Sequence, residues 1–338
     1  VNATSTDPVL ARARETGRIH AGWCGSGSPA AISTWKEVER IKPWLRRALE
    51  AAAEAEPAAS TAAEWLLDNG FLVQRAVLQV KKDLPPGFYR RLRPLADGPA
   101  KGEPLVLLLA HDLLHATHFQ LSRHAVLAYL EGYQEHLPLD IAELWALPAM
   151  LRIACLERLV SGFETLFPAV ASPVGPSRSC RQFLAENEPS ECVSRGIANL
   201  RVIASISWKD VFDAASLVER TLAQDPAGTY RAMDFDTRDD YRRAVERLAC
   251  RCSHAELHVA SRAVALARGE AGTPRNHVGY WLIGPGLAEL EQGLGACTPL
   301  PLRLGRLLLR HPGKVYTLGL FLAGLAGLFA PAAYLAII

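Results

Sequence analysis

The stretch DIAELWALPAMLRIACLERLVSGFETLF, residues 140–167, decides the fold. It reads as one long apolar helix with Pro148 inside it, and Trp145 reads as core. The same helical signal extends outward in both directions. Upstream, Thr34 and Glu37 have capping-box spacing and open a helix through WKEVERIKPWLRRALEAAAEAE, which Pro43 should kink or split. Thr61 and Glu64 repeat the signature before WLLDNGFLVQRAVLQVKKDL, and Pro85-Pro86 ends that helix. Helices near 104–118 and 122–135 follow a Gly/Pro loop. Downstream, helices are expected near 190–204, 208–223, 226–232 and 237–251, and Ser253 with Glu256 should cap one more before Gly269. Residues 272–295 read as loop, short apolar turn and loop.

Composition agrees with an all-α chain. Ala, Leu, Glu and Arg are abundant and β-branched alternation is scarce. The 338 residues, 49% of them hydrophobic, suffice for a substantial core. Lys+Arg 37 against Asp+Glu 35 leaves no whole-chain electrostatic footprint for nucleic acid. Seven scattered cysteines form no disulfide framework and fit reduced thiols in a cytosol.

Residues 315–338, VYTLGLFLAGLAGLFAPAAYLAII, contain no charge. A helix of that length spans roughly 36 Å, enough for a ~30 Å hydrocarbon core, and is expected to cross a membrane. Arg303, Arg306, Arg310 and Lys314 precede it and place the preceding residues in the cytoplasm. The expected division is a partly flexible segment with one helix at 1–58, a helical cytosolic domain at 59–312, and a transmembrane helix at 315–338. With the chain stopping at the span, the expectation is either a tail-anchored protein or the front of a longer membrane protein.

Three places invite a chemical reading. His111, His115 and His118 fall at i, i+4 and i+7 on one helix face, where three imidazoles could touch a divalent metal; His124 falls on the other side. The H-E-x-x-H glutamate is absent, so ordinary helix histidines are the simpler reading. Cys250, Cys252, His254 and His258 offer sulfur and nitrogen ligands, but C-x-C is not knuckle spacing. The DFD at 234–236 imitates a sugar-nucleotide D-x-D motif, yet it lies between helices, and Asp236 reads as a helix cap. Asp225-Pro226 reads as a cap followed by an N1 proline. No P-loop, G-x-S-x-G or dinucleotide fingerprint occurs. The sequence therefore points to no catalytic, cofactor-binding or metal-ligating residue in this chain.

Four stretches in order resemble the start of the cyclic β-1,2-glucan synthases: AEWLLDNGFLVQRAVLQVKKDLPPGFYRRLRPL (63–95), DIAELWALPAMLRIACLERL (140–159), ISWKDVFDAASLVERTLAQDPAGTYRAMDFDTRDDYRRAVERLA (206–249) and NHVGYWLIGPGLAELE (276–291). The resemblance implies the N-terminal cytosolic region of a bacterial inner-membrane enzyme, up to its first transmembrane helix. It implies UDP-glucose and a divalent metal for the full-length enzyme, held by a glycosyltransferase domain beyond this chain or in a separate one. It also implies His111, but not His115, His118 or the 250–258 cluster. The expected role is support of that catalytic domain. The alternative is a stand-alone tail-anchored helical scaffold or adaptor.

Overall fold

The computed structural model describes residues 7–25, 33–54, 60–172, 175–183, 188–270, 272–295, 313, 316–317 and 319–324. Among these residues every regular element is helical; β-type pairing is confined to the isolated bridges Cys24–Leu95 and Pro94–Pro104. The all-α expectation therefore holds. The chain divides into two compact units, 1–224 and 225–338.

The first unit contains α1 (Pro8–Trp23), α2 (Ser33–Ala53), α3 (Ser60–Asp83), α4 (Pro86–Tyr89), α5 (Leu105–Ala116), α6 (Arg123–Gln134), α7 (Ile141–Leu166), α8 (Arg178–Arg181), α9 (Pro189–Ser205), α10 (Trp208–Ala215) and α11 (Leu217–Leu222). Helix α7 is its axis. It is buried along most of its length, as an all-round apolar helix must be, and it packs against α2, α3, α5 and α9. Trp44 of α2 meets Phe163 edge-on at 5.7 Å, and Trp145 stacks on Phe212 of α10 at 4.7 Å. Pro148 lies inside α7 without ending it. Glu143 accepts from the Asp140 backbone N–H at 2.9 Å and fixes the helix start.

Close approach of α7 and α9 depends on Gly162. A Cβ there would stand 2.6 Å from the Pro189 carbonyl oxygen and 2.6 Å from Cys192 Cβ. Gly162→Ala should therefore lower the urea midpoint, because overpacking against backbone costs about 1–3 kcal/mol while the helix gains only about 1 kcal/mol. A raised midpoint would contradict this packing.

The second unit contains α12 (Thr229–Ala232), α13 (Phe235–Cys252), α14 (Glu256–Arg268), α15 (Val278–Leu282) and α16 (Leu287–Gly293). Its core includes Tyr230, Val245, Leu248, Val259, Ala263 and Trp281.

Several expectations need correction. The expected transmembrane helix at 315–338 is not supported: among the described residues no helix is long and apolar enough to cross a membrane. Positions 325–338 and the basic positions 303, 306, 310 and 314 lie outside the described residues. The 1–58 segment carries two helices, because Asp7 caps α1 through the Val9 N–H at 3.0 Å and Gly17 lets α1 lie directly on α6. The expected 208–223 helix breaks at Ser216, whose side chain caps α11. Ser253 does not cap α14. It ends α13 in the left-handed region at φ 54°, and Ala255 precedes α14.

Candidate functional site

Helix α5 positions the most polar part of the first unit. Residues 105–114 are all buried, yet two of them are His111 and Asp112. One faces α7 and α8, the other α1 and α6, so each needs its own partners.

His111 Nε2 lies 2.8 Å from Glu157 Oε2 of α7. The Ser177 hydroxyl donates to the same oxygen at 2.8 Å, and the Ser177 N–H donates to the other at 3.2 Å. Ser177 also caps α8, accepting from the Cys180 N–H at 3.0 Å. This brings His111, Glu157 and Cys180 together, with one ligand-type atom from each inside a 4.8 Å span. A divalent cation could draw nitrogen, oxygen and sulfur inward here. As it stands, burial pushes the Cys180 thiol well up and keeps it neutral, and hydrogen bonds engage both Glu157 oxygens.

The expected face of three histidines does not form. His115 does follow His111 along α5, and both rings lie against Phe183, at 6.2 and 5.3 Å. Helix α5 ends at Ala116, however, and His118 and Phe119 have φ of 49° and 58°. Helix α9 holds that turn: Asn199 donates to the Phe119 carbonyl at 3.0 Å and accepts from the Leu121 N–H at 3.1 Å. His118 and His124 are exposed.

On the other side of α5, Asp112 accepts from Tyr129 at 2.5 Å, Thr16 at 2.8 Å and Arg12 at 2.9 Å. Burial first, then the Asp112 charge, raises the Tyr129 phenol well above its ordinary pKa, so it stays a donor. Nearby, His20 Nδ1 lies 2.9 Å from the Tyr133 hydroxyl and its ring stacks on Trp23 at 5.3 Å. Arg12, Thr16, Asp112, His20 and Trp23 border a cleft of about 280 Å³, with Gln182 and Phe183 on its α8 side. Burial pushes His20 down to about 4, against the pull of Asp112. Its folded value lies below the ordinary 6.5, so the unfolded chain takes up the proton first. The stability this group contributes should be present above about pH 6.5 and lost toward pH 4, by about 3 kcal/mol. Urea titrations across that window should show the loss, and His20→Gln should flatten it. An unchanged slope in His20→Gln would refute this origin.

The second unit holds a different constellation. The buried Asp225 carboxylate lies 2.8 Å from His277 Nδ1, and it accepts from the Val278 N–H at 3.0 Å and the Tyr230 N–H at 3.2 Å. His277 Nε2 lies 3.0 Å from the Tyr241 hydroxyl. Gly279 backs this contact, for a Cβ there would stand 2.5 Å from the Tyr241 oxygen. Asp225 is thus not a helix cap. The cap of α13 is Asp234, not Asp236: its oxygens accept from the Thr237 N–H and hydroxyl, both at 2.8 Å. Those bonds hold the Asp234 carboxyl below its ordinary range. A cap spent in this way does not fit the metal-holding aspartate of a D-x-D motif. In the 250–258 cluster, the His254 and His258 rings lie 4.9 Å apart and His254 Nε2 meets the Leu294 carbonyl at 3.1 Å. Among the described residues, these four do not converge as a metal cluster.

The four stretches singled out in the sequence pair off through polar contacts. Arg93 of the first binds Glu143 of the second through two hydrogen bonds, at 3.0 and 2.5 Å. Burial alone would lower the Arg93 pKa, but the Glu143 charge and hydrogen bonds raise it above the ordinary arginine value. Arg152 and Asp83 pair across the same two stretches at 3.1 Å. The third and fourth are joined by Asp225, Tyr241 and His277.

Comparison with known proteins finds a relative among the same synthases. The chain is 28% identical to cyclic β-(1,2)-glucan synthase NdvB of Rhizobium meliloti (strain 1021), across 77% of this chain and 12% of the relative. It resembles the cyclic β-1,2-glucan synthases. The match spans about an eighth of that synthase's length. No protein-family model matches the chain.

Sequence reasoning missed Glu157, Ser177 and Cys180 because the contacts are distant in the chain. Asp112 did leave a signal, a carboxylate inside LVLLLAHDLL. A charge in such a run must find buried partners.

Proposed function

We propose that this chain is the N-terminal helical region of a cyclic β-1,2-glucan synthase and that it supports the glycosyltransferase domain rather than carrying out glucosyl transfer. The observation that carries this reading is the 28% identity to NdvB, confined to 12% of that relative. The supporting role accords with DFD, where Asp234 is spent on a helix cap. A docking surface fits the same role. Leu67, Phe71 and Leu78 are 44%, 64% and 51% exposed on one face of α3. The catalytic part of the synthase would cover that face, and UDP-glucose with its metal would bind there rather than here.

The test is reconstitution. The remainder of the synthase, expressed without this region, should lose β-1,2-glucan synthesis, and this chain supplied in trans should restore it. Phe71→Asp should weaken the rescue. Full synthesis by the remainder alone would overturn the reading and favour a scaffold with a different partner.

A further inference from the structure

We propose that the cleft beside α5 binds a neutral saccharide, a glucosyl unit of a β-1,2-linked chain. The proposal rests on the glucan-synthase reading above, and it adds a ligand-binding site to a region otherwise assigned only support.

Three observations point there. The first is size. About 280 Å³ lies just below the ~300 Å³ at which drug-sized pockets begin, so the occupant is small. The second is charge. Arg12 and Asp112 face the cleft as a pair 2.9 Å apart, and burial keeps His20 neutral. A sugar nucleotide would bring a diphosphate, which calls for cations not already spent on a carboxylate. A neutral polyol makes no such demand.

The third is chemistry. Asp112 is fixed by Tyr129 and Thr16, so its position is set before any ligand arrives. The guanidinium of Arg12 and the amide of Gln182 border the same space and can serve hydroxyl groups. Trp23, Phe183 and Ile19 supply apolar surface for the C–H face of a pyranose ring. A few placed polar groups among aromatic and aliphatic walls are the ordinary make-up of a small-ligand site.

Calorimetric titration of the full chain with sophorose and β-1,2-glucotriose tests this. Saturable binding is expected, with little dependence on salt because no net charge is neutralised. Ile19→Trp, which fills the cleft from a half-exposed position, should weaken binding at least tenfold. Gln182→Ala should weaken it severalfold. Circular dichroism and the urea midpoint would confirm that both variants fold. Absence of saturable binding would overturn the proposal, as would binding unaffected by Ile19→Trp. Binding of UDP-glucose but not of sophorose would overturn the neutral-ligand assignment. Equal affinity for cellobiose would overturn the β-1,2 assignment. A chain that rescues glucan synthesis but ignores these sugars would refute the cleft alone and leave the supporting role standing.

Discussion

Asp112→Ala is expected to cost about 3–5 kcal/mol, the range for removing one partner from a buried charged network. Asp112 is 2% exposed and serves three donors. Arg12 is half-exposed and can turn to water. Tyr129 and Thr16 are buried and cannot, so their hydroxyl groups carry most of the penalty. The unfolding temperature should fall by roughly 10 °C. Asp112→Asn keeps the shape but places an NH2 among donors, so it should also destabilise. Adding Tyr129→Phe to Asp112→Asn removes one competing donor and should recover part of the loss. Thermal melts of the two single variants and the double variant check this. A double variant as unstable as the sum of the singles would show that Tyr129 and Asp112 are not coupled.

The same residues show what was legible in the sequence. Helix α7 was, because twenty-odd residues of unbroken apolar and helix-forming character leave little alternative. The pairing of its Glu143 with Arg93 was not, since no local pattern links residues 50 positions apart. The histidine run misled for a physical reason: i, i+4, i+7 spacing presumes a continuing helix, and Asn199 holds the chain in a turn after Ala116. The N-terminal segment looked loose because GSGSPAA dominates its composition. Just before it, Asp7 and Pro8 start a helix, and Gly17 and Gly132 let that helix lie on α6. Small residues at a contact carry no hydrophobic signal, so packing of this kind is easily missed from sequence.

The second large effect is expected at Asp225. Read locally, Asp-Pro is a cap followed by an N1 proline. In the fold its carboxylate is fully buried and ties the Tyr230 and Val278 backbone N–H groups to His277. Asp225→Ala would take away the carboxylate shared by the Tyr230 and Val278 N–H groups and the imidazole Nδ1, costing about 3–5 kcal/mol. The loss should be concentrated in the second unit, with hydrogen-exchange protection falling around Val278–Leu282 while α7 keeps its own. Equal loss of protection in α7 would refute that localisation. Asp225→Asn offers a sharper test of the chain of protons. A neutral imidazole beside a carboxylate at 225 would donate from Nδ1 and leave Nε2 to accept from the Tyr241 hydroxyl. With an amide whose NH2 faces the ring, Nδ1 must accept and Nε2 must donate. Nitrogen-15 shifts of His277 should therefore exchange tautomer in Asp225→Asn, while stability falls less than in Asp225→Ala. An unchanged tautomer would mean that Tyr241, rather than Asp225, sets the ring, and the clasp would then be built from the hydroxyl side.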